Sequence, residues 1–161
     1  MSYSAFRRVD GALFVDELRL SRLLSTGLTT PFFLYSRAQL EHDYSAYAHA
    51  TSRLSGGAMV GYAVKANSNL ALLSILAERG AGAIVVSAHE ITHALAAGIP
   101  GERMLLHGNG KTTVDIEAAL KNNAMVSVDS EFDLEHIAAR TQALGCTARV
   151  LLRVNPDIDP H

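Results

Sequence analysis

Lysine is scarce in this chain, and one lysine stands at a position suited to covalent chemistry. The 161 residues include only three lysines, of which Lys111 and Lys121 lie in polar loop or helix-end contexts. Lys65 instead follows directly on the apolar run 59–64. Apolar surroundings favour the neutral form of an amine, and a lysine can then form a Schiff base with a carbonyl compound. The alternative is a structural lysine whose stem packs on a sheet while its ammonium reaches solvent at the rim.

Strand-sized apolar runs, about 20–25 residues apart, alternate with helical patterns along most of the chain. The predicted strands are 59–64, 83–86, Met104–Leu106, Met125–Val128 and 148–154. The predicted helices are 69–79, a helix opened by the capping-box sequence 87–90 and ending at Gly98, Thr113–Lys121, and Glu131–Leu144 capped by Ser130 and stopped by Gly145. Strands that alternate with helices in this way predict an α/β fold with a parallel sheet.

The first 58 residues follow a different pattern. Strands are predicted at Ala12–Val15 and 31–35, with a short helix through Leu24 between them. A second capping-box sequence, Ser-Arg-Ala-Gln at 36–39, predicts a helix that ends at Gly56-Gly57. These elements indicate a separate lead-in to the repeating part of the chain.

The position of Lys65 at a strand end favours a ligand site. In parallel α/β proteins, ligands bind at the carboxyl ends of the strands. Strand alternation places the small residues Gly61 and Ala63 on the same face as Lys65, which leaves room beside the amine. The bulky residues of the run would then pack against helices on the other face.

Five separated segments match one known pattern, in order and at similar spacing. They are Tyr-Ala-Val-Lys-Ala-Asn-Ser-Asn at 62–69, Val-Val-Ser at 85–87, His-Gly-Asn-Gly-Lys at 107–111, Val-Asp-Ser-Glu-Phe-Asp-Leu at 128–134 and Leu-Arg-Val-Asn-Pro-Asp-Ile-Asp at 152–159. Together they resemble the diaminopimelate decarboxylases, fold-type III enzymes that use pyridoxal 5′-phosphate (PLP). Alanine racemases share Lys-Ala-Asn but usually continue with Ala-Tyr-Gly, whereas this chain continues with Ser-Asn-Leu.

The resemblance implies a fold and a domain plan. The fold would be a partial (β/α)8 barrel of the TIM type, as in alanine racemase and other fold-type III PLP enzymes, with about five of its eight strands in this chain. Residues 1–58 would be lead-in strands and a helix, and residues 59–161 the first part of the PLP-binding barrel. The remaining strands and a C-terminal β-domain would lie beyond His161, so this chain would be the N-terminal fragment of a longer enzyme, inactive by itself.

The resemblance also implies a reaction and its residues. The full-length enzyme would decarboxylate meso-2,6-diaminopimelate to L-lysine and CO2, the last step of lysine biosynthesis. Lys65 would bind PLP covalently and assist proton transfer. Arg153 would lie close to the cofactor ring, or else form a salt bridge at the barrel rim. His107 would line the same mouth, or else make a structural hydrogen bond. Capping of the next helix is sufficient to explain Asp129 and Ser130.

Two departures from the family pattern lie after the second strand. Many family members have Asp-Val-Val-Ser and then Gly-Gly-Glu, where this chain has Ile-Val-Val-Ser at 84–87 and Ala-His-Glu at 88–90. Ile84 therefore replaces an acid expected near the cofactor, although plant-type members also have an apolar residue there. No metal site is predicted: His89 and His93 have the spacing of His-Glu-x-x-His, but the other histidines add no metal-ligand pattern to this pair.

Two other functions stay open. Another PLP enzyme of the same fold, such as an ornithine or arginine decarboxylase or an amino-acid racemase, would share Lys65. A catalytically silent homologue would only bind a protein partner.

The formal net charge of −2 indicates no basic surface of the kind that binds nucleic acid or an anionic membrane. No apolar run approaches the ~18 residues that span a bilayer.

The cellular context is inferred from the cysteine count and the N-terminus. A single cysteine, Cys146, fits a reducing compartment. Arg7-Arg8 is followed by Asp10 and not by an apolar stretch, so no signal peptide is predicted. We expect a cytoplasmic enzyme, or a plastid enzyme if a transit segment precedes this chain. The expected partners are a small amino-acid substrate and, for the full-length enzyme, a second copy in a homodimer.

Overall fold

A computed structural model of the chain describes residues 4–55 and 57–158. The chain divides into two compact units between Ala58 and Met59. In the first unit, β1 (Phe6–Val9), β2 (Ala12–Val15) and β3 (Leu18–Arg19) form an antiparallel sheet in that order. Asp10 and Gly11, both with positive φ, make the two-residue turn between β1 and β2, for which Asp-Gly is a favoured sequence. The helices α1 (Leu20–Leu24) and α2 (Arg37–Thr51) complete this unit.

Three predictions for the first unit are wrong. The segment 31–35 is not a strand: it is irregular, it pairs with none of the described strands, and Phe33 is 89% exposed. The capping box of α2 is only half formed. Ser36 Oγ accepts the N–H of Gln39, but the Gln39 side-chain oxygen accepts the N–H of Ala5. The helix ends at Thr51, before the predicted Gly56-Gly57, and Gly56 lies outside the described residues.

The second unit confirms the predicted α/β alternation. Five parallel strands follow one another across the sheet in chain order. They are β4 (Gly61–Ala63), β5 (Gly82–Val85), β6 (Met104–Leu106), β7 (Met125–Val128) and β8 (Arg149–Leu152). The helices between them are α3 (Leu70–Glu78), α4 (Ala88–Ala96), α5 (Thr113–Lys121) and α6 (Glu131–Leu144). This arrangement agrees with the partial barrel that the resemblance implies, with β4 and β8 shorter than expected.

The core of the second unit lies between the sheet and its helices. Val85, Leu106 and Val126 are neighbours in the ladder and are completely buried. Leu73, Ile91 and Ile116 are the corresponding fully buried residues of α3, α4 and α5. Parallel strands that are built to be covered on both faces read as continuous apolar runs, and such runs located these strands in the sequence.

Side-chain caps set the starts of the helices, and therefore the loops after each strand. Ser130 Oγ accepts the N–H of Asp133 at the start of α6, as predicted, and Gly145 ends that helix in the left-handed conformation. In α4, Ser87 caps as predicted, but the Glu90 carboxylate accepts the N–H of Val86, one residue before the position a capping box requires. Within the described ranges, no helix has the length and apolar character needed to cross a membrane.

Candidate functional site

All five strands of the second unit are parallel, so their carboxyl ends meet at one edge of the sheet. We call this edge the mouth. The residues that immediately follow β6, β7 and β8 are His107, Asp129 and Arg153, and Lys65 is the second residue after β4. The ladder continues into two of these positions. His107 N–H donates to Val85 O at 2.8 Å, and Arg153 N–H donates to Val128 O at 3.0 Å.

Lys65 lies in a single 3-10 turn, Val64–Ala66, and not in the strand itself. Val64 is completely buried and Lys65 is exposed. The expectation that Lys65 continues the strand face of Gly61 and Ala63 is therefore wrong, because the backbone leaves the extended conformation after Ala63. The expected apolar surroundings are not provided by the described residues either.

Polar side chains of the Lys65 motif hold this turn. Tyr62 OH donates to the carbonyl of Asn67 at 3.4 Å. Asn67 Oδ1 accepts the N–H of Asn69 at 3.0 Å. Asn69 Oδ1 in turn accepts the N–H of Ala71 at 2.9 Å and so caps α3. The two asparagines therefore shape the loop that carries Lys65 and join it to the next helix.

The amine of Lys65 is uncommitted. Within residues 4–55 and 57–158, it makes no hydrogen bond or ion pair. The other two lysines are engaged: Lys121 pairs with Glu117 at 3.1 Å, and Lys111 is buried among oxygen atoms. A free amine is what covalent binding of a carbonyl compound requires.

An isoleucine covers the small residues of β4. In the ladder, Ala63 lies beside Ile84 and Gly61 beside Gly82, so Gly61 and Ile84 face the same side. A Cβ at Gly61 would lie only 2.9 Å from Cδ1 of Ile84. Ile84, which stands where many family members have an acid, therefore makes an apolar contact with β4, the strand that leads to Lys65.

Lys111 lies in a loop among polar groups, as expected, but unlike the other two lysines it is buried. Its side chain is 1% exposed. Nζ lies 2.8 Å from Oδ2 of Asp133 and 3.9 Å from Oδ2 of Asp129, and it donates to the carbonyl of Gly108. The burial is possible because two carboxylates and a carbonyl surround the ammonium.

Asp129 does not cap α6, contrary to the sequence interpretation, because Ser130 takes that role. Its side chain is 8% exposed and lies inside the mouth, where Oδ1 accepts the hydroxyl of Ser127 at 2.6 Å. This hydrogen bond lowers the pKa of Asp129 below its ordinary value, while burial opposes the shift. The positive charges of Lys111, His107 and Arg153 lower the pKa further. The carboxylate is therefore held in its ionised form.

Arg153 lies beside this carboxylate, and His107 acts on it through its charge. Arg153 Nη1 lies 3.7 Å from Oδ2 of Asp129, and its Nε donates to Asn155 at 3.3 Å. The side chain is 47% exposed, so the guanidinium reaches the rim. His107 is half-buried, and its ring makes no hydrogen bond within the described ranges. The structure thus brings His107 and Arg153 together around Asp129, with Lys65 apart from them at the other end of the sheet.

Sequence reasoning missed the buried ion cluster of Lys111, Asp129 and Asp133. All three residues belong to segments singled out for their resemblance, 107–111 and 128–134. One signal in the sequence could have indicated the cluster: all three charged residues lie soon after apolar strands. Unpaired charges there would cost free energy if buried, so they are expected to pair with one another.

The chain is similar to known pyridoxal-dependent decarboxylases. The family model described as the pyridoxal binding domain of pyridoxal-dependent decarboxylases matches residues 37–161. The chain belongs to this family. A probable chloroplastic diaminopimelate decarboxylase of Oryza sativa is 44% identical over 97% of this chain and 32% of its own length. The diaminopimelate decarboxylase of Pseudomonas aeruginosa is 41% identical over 93% of this chain and 36% of its own.

Solved structures agree with the family assignment. A diaminopimelate decarboxylase structure from M. jannaschii superposes with a TM-score of 0.90 at 33% identity, and covers 97% of this chain and 37% of that one. The diaminopimelate decarboxylase of Helicobacter pylori, solved in complex with L-lysine, has a TM-score of 0.78 at 38% identity over 86% of this chain and 35% of that one. The fold is therefore that of the fold-type III PLP decarboxylases. This chain spans about a third of the length of the relatives it matches.

Proposed function

We propose that the full-length protein is a PLP-dependent decarboxylase that converts meso-2,6-diaminopimelate to L-lysine and CO2. The observation that carries this proposal is the uncommitted amine of Lys65 at the mouth of a barrel of this family. Curated relatives from bacteria, an archaeon and a plant, at 37–44% identity, carry the name diaminopimelate decarboxylase. This supports the diaminopimelate branch over the ornithine, arginine and racemase alternatives.

The residues at the mouth fit PLP. An aldehyde needs an amine that is not held by other partners, and Lys65 meets this condition among the described lysines, whereas Lys111 does not. The cofactor's ring oxygen is anionic, and the half-exposed guanidinium of Arg153 offers a fixed positive charge. When bound, PLP supplies the electron sink for loss of the carboxylate.

The chain's own residues then have separate tasks. Lys65 would bind the cofactor and hold or return a proton at Nζ. In a closed eight-stranded barrel, strands four positions apart face each other, so Lys65 after β4 and Arg153 after β8 would lie on opposite sides of one mouth. His107, after the strand between them, would line the same opening.

The proposal also covers the domain plan, the oligomeric state and the cellular compartment of the enzyme. Residues 1–58 would be the lead-in, and residues 59–161 the first part of the PLP-binding barrel. The full-length enzyme would be a homodimer. The single cysteine, Cys146, supports a reducing compartment, which we propose to be the cytoplasm, or a plastid if a transit segment precedes the chain.

Borohydride reduction of the full-length holoenzyme tests the cofactor site. Mass mapping of the digested protein should place the phosphopyridoxyl group on Lys65. The Lys65→Ala variant should lose the label and the activity, whereas Lys121→Ala, which removes an exposed amine on α5, should keep both. A label on another lysine in the wild-type protein would falsify the assignment.

The substrate is tested on the same preparation. We expect CO2 and L-lysine from meso-diaminopimelate, and at least 100-fold lower kcat/KM with ornithine, arginine or lysine, in line with the discrimination that a site built for a polar group achieves. Comparable turnover of ornithine would overturn the substrate while leaving the PLP decarboxylase class intact. A protein that binds PLP at Lys65 but turns over none of these amino acids would support the silent homologue.

A further inference from the structure

The carboxylate of Asp129 has one oxygen whose hydrogen bonding is incomplete. Oδ1 accepts the hydroxyl of Ser127, but Oδ2 is buried and has no hydrogen-bond partner within the described ranges. A buried carboxylate oxygen without a partner costs free energy, so the nearest available donor is drawn toward it. Only two cationic groups lie within 4.0 Å of this atom in the described part of the chain.

Of these two groups, Lys111 is already committed. Its Nζ donates to the carbonyl of Gly108 and pairs with Asp133, and its side chain is 1% exposed. The buried ammonium therefore acts on Asp129 by its charge from 3.9 Å and does not fill the vacant acceptor.

Arg153 is the donor that remains. Its Nη1 lies 3.7 Å from Oδ2, and its half-exposed side chain retains freedom to move closer. The backbone of Arg153 is fixed by its hydrogen bond to Val128, so Asp129 controls only where the guanidinium points. An arginine side chain without such an anchor has several rotatable bonds and would sample many positions at the rim.

The carboxylate is itself held in place from two sides. Ser127 is completely buried in β7 and fixes Oδ1, because residues two apart in a strand face the same side. The backbone N–H of Asp129 donates to Asp133 at 3.1 Å, and Asp133 is the partner of Lys111. The anchor is therefore rigid before any ligand binds.

We propose that Asp129, fixed by Ser127 and Lys111, is a positioning residue that holds the guanidinium of Arg153 at the mouth. Its importance for catalysis rests on the proposed function, in which Arg153 lies beside the cofactor ring. The positioning itself concerns only this chain's own residues.

The first test needs neither cofactor nor substrate. Phenylglyoxal modifies arginine, and peptide mapping of the full-length protein gives the rate at each site. Asp129→Asn is nearly identical in shape to the wild-type residue. It should raise the rate of phenylglyoxal modification at Arg153 about fivefold or more, because the interaction energy between residues in contact corresponds to about this factor or a larger one. The rate at Arg53, which is exposed on the first unit, should not change.

Two further variants keep this test decisive. Ser127→Ala removes the hydrogen bond to Oδ1 and keeps the charge, so it should raise the Arg153 rate by a smaller factor, even if Asp129→Asn fails to fold. Glu117→Gln is the matched control. It removes a carboxylate on α5 that pairs with Lys121 of the same helix and with Arg140 of α6, and it should leave the rate at Arg153 unchanged. An unchanged Arg153 rate in Ser127→Ala and in any folded Asp129→Asn protein would overturn the proposal.

A double-mutant cycle on the holoenzyme tests the link to catalysis. Asp129→Asn should lower kcat/KM about tenfold in the wild-type background and have little further effect beside Arg153→Met. Effects that multiply would show that Asp129 does not act through Arg153. If the protein shows no decarboxylase activity at all, the labelling rates still decide the positioning, and only the proposed function fails.

Discussion

The carboxylate of Asp115 accepts the backbone N–H of Ala88 at 2.7 Å, although the two residues are 27 positions apart. The same carboxylate caps its own helix: Oδ2 accepts both the N–H and the hydroxyl of Thr112. One side chain on α5 thus joins the starts of α4 and α5, and both helix starts lie next to the mouth.

Replacement of Asp115 should destabilise the protein strongly. Asp115→Ala removes three hydrogen bonds from a residue that is 9% exposed and leaves the N–H of Ala88 without its acceptor. We expect a loss of about 2–4 kcal/mol in the free energy of unfolding. Urea titration of the full-length protein measures it. Glu135→Ala, at an exposed site on α6, should change the free energy by less than about 0.5 kcal/mol. Equal effects of the two variants would contradict this role.

Acid should destabilise the protein through Asp115 and Asp129. Burial raises the pKa of Asp115, but the hydrogen bonds from Thr112 and Ala88 outweigh it, and the net pKa lies below its ordinary value. The pKa of Asp129 is also lowered, chiefly by Ser127. A lowered folded-state pKa contributes stability that is complete above the unfolded value of about 3.9 and is lost as the pH falls through the folded-state pKa.

This acid dependence can be measured by urea unfolding at a series of pH values from about 6 down to about 2. The wild-type free energy of unfolding should fall below about pH 4, and Asp115→Asn should fall less steeply over the same range. Glu135→Gln serves as the control and should follow the wild-type curve. A variant curve parallel to that of the wild type would show that Asp115 does not contribute.

Gly61 and Ile84 should behave as a coupled pair. A Cβ at Gly61 would approach Cδ1 of Ile84 to 2.9 Å, so Gly61→Ala should cost about 1–3 kcal/mol through overpacking. Ile84→Val removes Cδ1 and should restore part of this loss in the double variant. Gly110→Ala, where nothing lies within 4 Å, is the control. Additive effects of the two substitutions, measured by thermal unfolding of the full-length protein, would exclude the coupling.

The 161-residue chain expressed alone should aggregate. Every residue of β8 is exposed, including Leu151 at 45% and Leu152 at 66%, and β8 lies at one edge of the parallel sheet. An apolar edge strand with unpaired backbone groups invites association with other chains. Size-exclusion chromatography and circular dichroism decide the matter. The chain should also lack decarboxylase activity. A monodisperse chain that melts cooperatively would contradict the expected aggregation.

The sequence by itself determined the order and type of the elements in the second unit. Strands β6 and β7 and helices α5 and α6 have the predicted bounds, because parallel strands with buried faces read as apolar runs and because Ser130 and Gly145 are strong local signals. The five segments from 62–69 to 152–159, taken together, also indicated the family. These are properties of short stretches of chain.

Only the tertiary structure decided the environment of each charge. The burial of Lys111 was not apparent because its partners follow a different strand, Asp129 directly after β7 and Asp133 in the first turn of α6, and the parallel sheet brings them beside it. Lys65 looked like a buried strand residue because alternation cannot show where a strand ends. The segment 31–35 has strand composition but no partner among the described strands. Burial and pairing depend on residues far apart in the chain, so local patterns do not contain them.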